Sequence, residues 1–439
     1  MKHKLRTAVF FCMAICLVNI QKAAAQNSTR TIQLKEAIEL SLNNSHLLKN
    51  NKAIISEATA ATKEATERRL PEVSVSGSYL YLPVKPGIKL KSDTSGRGGP
   101  KVSQAMYGIL NASLPLYTGG KIKYGIEAAK YLEEAVKLDA ANNREGVIIN
   151  TINAYSNLYK AKAAVGLVKE NLDQANQRVK DFTNLEKNGL VARNDLLKVA
   201  LQSSNVELTL LDAESNYKIA SVNMALMLGV PEQTMLVADA ASLQQNVTVK
   251  SLDEYEQQAL QARNDVGALA LRKKAAAIGI KAVNADYYPN LALTTGYIAA
   301  NIPRFVTITN AVNIGIGASY NLSSLWKTKS KIDQATAREQ QIAASQDMLT
   351  DNIRLQINQA YQSYILSNKK IEVYQKAVDQ ATENYRITKN KYDNALATTT
   401  DLLDADVAQL QTKLNVTNAT ADAVVAYNKL LQTAGILNN

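Results

Sequence analysis

From residue 165 the apolar positions Val165, Val168, Leu172, Ala175, Val179 and Phe182 recur in alternating steps of three and four. Val407, Leu410, Leu414, Ala421 and Val424 take up the same seven-residue pattern near the end of the chain. This is the pattern of long helices that pack along a seam, and where such helices turn back sharply they pair as antiparallel coiled coils. The stretch from Lys121 to Lys187 contains no proline, which allows about 100 Å of unbroken helix at ~1.5 Å per residue. Between the apolar positions stand mostly Ala, Asn, Gln, Ser and Thr, the second face of a wall that is wet on at least one side.

Four short segments follow a different period. In AVNIGIGASYNLS (311 to 323) the apolar Val312, Ile314, Ile316, Ala318, Tyr320 and Leu322 alternate with Asn313, Gly315, Gly317, Ser319, Asn321 and Ser323. EVSVSGSYLYL (72 to 82) sets Val73, Val75, Tyr79 and Tyr81 against serines, and QAMYGILNASLPLY (104 to 117) places Met106, Leu110, Ala112, Leu114 and Leu116 on one side. Strict period two predicts strands with one apolar and one small, polar face. Tyr79, Tyr81, Tyr107, Tyr117, Tyr287, Tyr288, Tyr297 and Tyr320, with the sole tryptophan Trp326, lie in or beside these segments. Aromatics flanking an outward apolar band are marks of an outer-membrane barrel, and Tyr79, Tyr117, Tyr297, Tyr320 and Trp326 are the candidate interface anchors. Four strands cannot close such a barrel, whose usual minimum is about eight, so several chains must share one. A ring of three would supply three times four strands; the count is also compatible with two or four chains.

The chain is one unit written twice. ATERRLPEVSVSGSYLYLPV (65 to 84) matches VNADYYPNLALTTGYIAANI (283 to 302), with Pro71 over Pro289 and Tyr79 over Tyr297, a shift of 218. From Lys121 onward the shift is 206, placing Gly189 over Ala395, Asp195 over Asp401 and Gly229 over Gly435. The difference of 12 predicts a longer loop in the first copy, in the Gly-, Pro- and Lys-rich stretch 85 to 101. Each copy is expected to run helix, strand, loop, strand, very long helix, tip, long helix. The first helix is expected from Thr31 to Arg69, and the second copy's long pair from Lys327 to Tyr392 and from Asp401 to about Gln432. The two tips read NGLVARNDLL (188 to 197) and NALATTTDLL (394 to 403). The expected division is 26–230 for the first repeat, 231–250 for a linker and 251–439 for the second repeat.

The beginning of the chain changes where this fold must work. Lys2, Lys4 and Arg6 precede an apolar run from Ala8 to Ile20 and then Ala23, Ala24 and Ala25, which predicts a signal peptide over 1–25, cut before Gln26. Both cysteines, Cys12 and Cys16, fall inside it, so the exported chain is expected to have no disulfide, free thiol or lipid-modified cysteine. Removing Lys2, Lys4, Arg6 and Lys22 takes the formal charge from +11 to +7. That basicity is spread out, without the clustered pattern that points to nucleic acid. No run of 18 apolar residues follows the leader, which excludes ordinary transmembrane helices and leaves a barrel open. His46 is the only histidine after the leader and is read as structural. GRGG (96 to 99) lacks the following helix that a phosphate loop needs. No catalytic, metal-binding or cofactor-binding constellation emerges.

Taken together, the AIELSLNNS helix, the Leu-Pro pair before the first strand, the tip NGLVARNDLL and the second tip continuing as TTTDLLDAD resemble the TolC-like outer-membrane efflux proteins over residues 30 to 437. The resemblance implies a mostly helical homotrimer with a shared twelve-stranded barrel in the outer membrane of a Gram-negative bacterium and a coiled-coil tunnel through the periplasm. It implies service as an exit duct, joined by a periplasmic adaptor to an inner-membrane pump of the RND or ABC type, in drug efflux or type I secretion. It places an acidic constriction at Asp401 and Asp404, whose spacing puts both on one helix face. In a ring these carboxylates would raise one another's pKa. It further implies a latch of Tyr392 with Asp195. Ala397 stands where the best-known member has arginine, which makes Arg193 the candidate replacement. Asn188, Gly189, Leu190, Asn394, Ala395 and Leu396 become the adaptor-contact tips. The plainer readings are helix capping for Asp195 and Asp401 and coiled-coil packing for Tyr392. A different class, an exported coiled-coil adhesive protein, would share the helices but not need amphipathic strands.

Overall fold

The computed structural model describes residues 29–84, 102–243, 249–303 and 306–437. The expected signal peptide and the loop at 85 to 101, with its GRGG, lie outside the described residues. In chain order the elements are β1 (Thr29–Ile32), α1 (Leu34–Asn44), α2 (His46–Glu67), β2 (Glu72–Tyr81), β3 (Gln104–Tyr117), α3 (Lys121–Lys187), α4 (Arg193–Leu228), β4 (Met235–Ala238) and a 3-10 turn (Ala240–Leu243). Then come α5 (Leu252–Ala262), α6 (Asn264–Asn284), a second 3-10 turn (Ala285–Tyr287), β5 (Asn290–Ile302), β6 (Val306–Ser319), α7 (Ser324–Asp393) and α8 (Thr399–Thr433). The duplication is visible in their bounds: α5 and α6 start 218 residues after α1 and α2, and α4 and α8 start 206 residues apart. None of the described helices is long and apolar enough to cross a membrane.

One expectation needs correction at the start of each copy. The helix expected from Thr31 to Arg69 is a strand followed by two helices. Thr29–Ile32 pairs in parallel with Met235–Ala238, so β1 draws its hydrogen bonds from a partner about two hundred residues away, which local periodicity does not register. The break between α1 and α2 comes at Ser45, whose ψ of 120° leaves the helical region. Arg263, 218 residues later, breaks α5 from α6 with a ψ of 129°.

The chain divides into two compact units. The first holds the chain to Asn51, Ala140–Asn264 and everything from Thr350. Its core packs Ile32, Ile148, Ile152, Leu158, Met224, Leu228 and Leu236 around Tyr155. Tyr155 is fully buried, and its hydroxyl donates to the Ile32 carbonyl (2.8 Å) while accepting from the Asp239 N–H (2.8 Å). Tyr217 on α4 donates to the Leu236 carbonyl (2.8 Å), and the Ser221 hydroxyl accepts from the Leu236 N–H (2.9 Å). Two long helices thereby satisfy the backbone of a two-stranded sheet too small to stand alone.

The second unit holds Lys52–Asp139 and Asp265–Leu349. Its strands form one antiparallel sheet in the order β2-β3-β5-β6. The register collects side chains into rows: Val75, Leu110, Tyr297 and Val312 on one face, Ser74, Asn111, Gly296 and Asn313 on the other. The apolar face is open, with Val75 at 79%, Ile314 at 77% and Ile316 at 72% exposure. A Cβ at Gly296 would stand 2.9 and 3.0 Å from the side-chain oxygens of Asn313 and Asn111, so glycine makes room for that polar row. The fourth strand starts at Val306, five residues before the alternation does, because a bulge opposite Ile298 and Ala300, with Asn310 at φ 59°, shifts the side-chain parity. It ends at Ser319, and α7 begins at Ser324 rather than Lys327, so Trp326 is a helical residue, 66% exposed.

At the foot of this sheet, Lys121 and Lys331 both bond Asp286 (2.7 and 2.8 Å), joining the first turn of α3 and the second turn of α7 to the residues before β5. The two ammonium groups hold the Asp286 carboxyl below its usual range. A depressed native pKa contributes stability that is complete above the unfolded value of about 4 and is lost as pH falls through the native value. Asp286→Asn is therefore expected to flatten the acid limb of thermal stability against pH, measured by scanning calorimetry in detergent. Tyr155→Phe is expected to cost about 1–2 kcal/mol through loss of the shared hydroxyl, read as a lower unfolding midpoint at neutral pH.

Candidate functional site

The two tips are built the same way. At the end of α3 the Leu190 N–H reaches back to the Leu185 carbonyl (2.9 Å) and the Gly189 N–H to Glu186 (2.9 Å). At the end of α7 Leu396 reaches Lys391 (2.8 Å) and Ala395 reaches Tyr392 (2.9 Å). The side chains of Asn188 and Asn394 each bond the carbonyl four residues back, at 2.8 and 2.7 Å. This is the Schellman arrangement, which needs a left-handed residue after the helix. Gly189 takes that place at φ 70°, and Ala395 takes it at φ 58°. Leu190 and Leu396 are left 70% and 77% exposed at the apices.

Beyond the turns the copies differ. Ala192, at the start of α4, offers no side-chain cap. Thr398, at the start of α8, forms a full capping box. Its N–H and hydroxyl donate to the Asp401 carboxylate (2.8 and 2.6 Å), and its hydroxyl oxygen accepts from the Asp401 N–H (3.2 Å). Those bonds hold the Asp401 carboxyl below its ordinary pKa within one chain. Asp404 follows on the same side of the helix and is likewise exposed.

Around the first tip, Arg193 lies 3.8 Å from Glu186, and Lys198 lies 3.6 Å from Asp195. Tyr392 stacks on the buried Phe182 with ring centroids 5.6 Å apart and planes 15° from parallel. Burial pushes its phenol pKa up, and the charge of Asp195 adds to that, while a bond with Thr399 opposes it. The structure thus brings Tyr392 within the field of Asp195 and gives it a stacking partner that the sequence reading did not name.

A buried cluster was also missed. Asp406, with its side chain 1% exposed, accepts from Arg178 Nη1 (3.1 Å) and Asn171 Nδ2 (3.2 Å). Arg178 Nη2 donates to the Tyr385 hydroxyl (3.2 Å). Burial disfavours the Arg178 charge, and Asp406 outweighs it, so the guanidinium is held more firmly protonated than usual. The signal lay in the heptads: Arg178 stands beside Ala175 and Phe182 on their seam, and Asp406 stands with the buried Thr399 and Leu402 on its own. Opposite charges at seam positions of two helices mark a buried pair. Among the described residues there is no group of three or more His, Cys, Asp or Glu placed to hold a metal ion.

The outer membrane efflux protein family model matches residues 37–230 and 256–436, most of the chain in two blocks. The chain belongs to the outer membrane efflux protein family. This efflux protein is 22% identical over 335 residues to the outer membrane efflux protein BepC of Brucella suis, covering 73% of this chain and 70% of that one. Its fold is similar to VceC of Vibrio cholerae, with a TM-score of 0.75 at 20% identity over 92% of this chain and 96% of that one. It is also similar to the CmeC outer membrane channel of Campylobacter jejuni, with a TM-score of 0.77 at 18% identity over 92% and 86%. The efflux protein is a mostly helical channel-tunnel chain, and its family consists of channels rather than enzymes.

The Cβ of Ala395 makes the second tip dearer than the first. Ala395→Gly is expected to raise the unfolding midpoint by the equivalent of about 1 kcal/mol, and Gly189→Ala to lower it by a similar amount. Differential scanning calorimetry of the two variants reads both signs.

Proposed function

We propose that three copies of this efflux protein close one twelve-stranded barrel in the outer membrane of a Gram-negative bacterium. The observation that carries this reading is the four-stranded sheet, whose apolar face is exposed and whose outer strands β2 and β6 each have a single partner. Joining β6 of one copy to β2 of the next pairs every edge, as hydrocarbon requires. Tyr79, Tyr117, Tyr297, Tyr320 and Trp326 then act as interface anchors. Helix α4 supports the same assembly: it buries Val199, Val206, Tyr217 and Met224 within the chain and leaves Leu197, Leu201, Leu208, Leu211, Ile219 and Leu226 exposed. A second apolar seam on one helix calls for a second helical neighbour, here another copy.

The trimer is a passive exit duct across the periplasm for an inner-membrane pump of the RND or ABC type, in efflux or type I secretion, and the signal peptide is removed near Ala25. A periplasmic adaptor meets the tips through Asn188, Gly189, Leu190, Asn394, Ala395 and Leu396, and the exposed Leu190 and Leu396 supply apolar contact. Asp401 and Asp404 form rings of like charge that select cations. Tyr392, Asp195 and Arg193 hold the tips shut.

Because Asp401 also caps α8, the charge is best removed by Asp401→Asn with Asp404→Asn, which keeps polar groups at the cap. In planar bilayers the parental protein is expected to run as a heat-dissociable trimer and pass cations preferentially, with the double variant losing most of that preference. Unchanged selectivity would remove the acidic rings, and monomers in mild detergent would remove the shared barrel.

A further inference from the structure

Three acids occupy the first two turns of α8 and face different ways. Asp401 and Asp404 are exposed, and Asp406 is buried. Residues two apart on a helix point about 200° apart, so whatever fixes the direction of Asp406 also fixes that of Asp404. Asp406 is held by two groups of α3, Arg178 and Asn171, and Arg178 is held in turn by Tyr385 of α7. None of the four has its equivalent in the other copy: the positions 206 residues away are Ala200, Ala377, Asn384 and Val179. The cluster therefore has no repeat counterpart and sits once in the chain, where α3, α7 and α8 meet.

A buried ion pair adds little net stability over apolar residues of similar volume, but it specifies alignment, because one arrangement alone satisfies all its hydrogen bonds. Rotating α8 about its axis would withdraw Asp406 from Arg178 and Asn171 and leave two opposite charges buried and unpaired. We propose that Arg178, Asp406, Asn171 and Tyr385 are positioning residues of the gate: they set the rotation of α8, keep Asp401 and Asp404 turned to the pore, and make α8 move with α3 as one body when the channel opens. This rests on the channel reading given above.

The test pairs Arg178→Met with Asp406→Leu, which removes the charges and retains the buried volume, and adds Tyr385→Phe, which deletes only the hydroxyl that Arg178 holds. For the double variant the expected result is a trimer whose unfolding midpoint is at or above the parental one. Its closed-state conductance in planar bilayers should rise roughly tenfold, with weakened cation selectivity, as expected when a two-state equilibrium loses its bias. Tyr385→Phe should shift conductance in the same direction by less. Parental conductance and selectivity in both variants, whatever their midpoints, would overturn the lock and leave the channel intact. A parental protein that passes no ion current would overturn the channel reading and the lock together.

Discussion

A peptide N–H or C=O left unpaired in hydrocarbon costs several kcal/mol, and a sheet of four strands has two edges lined with them. In this chain the sheet is amphipathic in the inverted sense: valine, isoleucine and tyrosine look outward, and serine, asparagine and glycine occupy the opposite face. Such a sheet is stable neither in water, because of its face, nor alone in lipid, because of its edges. Under the proposed assembly, closure with further copies pairs the edges and the surrounding lipid covers the face. The exposed leucines of α4 form a second apolar seam without a partner in the described chain, which the proposed assembly would cover with a neighbouring copy.

Much of this was legible because the chain repeats itself. Alternation located the strands of the four-stranded sheet, the heptads located the long helices, and the matched decapeptides located both tips: α3 ends at Lys187 as expected, α7 ends at Asp393, one residue past the expected Tyr392, and α8 starts at Thr399, two residues before the expected Asp401. What local patterns could not show was nonlocal. The pairing of β1 with β4, the Tyr155 hydroxyl shared between Ile32 and Asp239, and the stacking of Tyr392 on Phe182 each join residues far apart in sequence. The Ser45 and Arg263 breaks carry neither proline nor glycine, so only the backbone reveals them.

The acids of the second tip show why residue type alone is a poor guide to role. Asp401 is tied to Thr398, Asp404 is open to solvent, and Asp406 neutralises a buried guanidinium. Their helical phases separate them, and within a spacing of five the same residue type serves as a capping group, a solvated charge and half of a buried ion pair. Asp195, the counterpart of Asp401 in the first tip, sits against Lys198 behind an uncapped start. One ancestral turn has thus acquired two electrostatic environments.

The bulge at Asn310 has a consequence for how this family can vary. From Val312 onward β6 presents even-numbered residues to the apolar face, and before the bulge Thr307 shares the row of Tyr79, Met106 and Asn301. The bulge works as a frame-shift absorber: a residue gained or lost there re-phases only the few positions up to Val306. The same insertion just after Val312 would move Ile314 and Ile316 to the polar face and Asn313 to the apolar one along half the strand. Length variation in this strand should therefore collect near its beginning and spare its end.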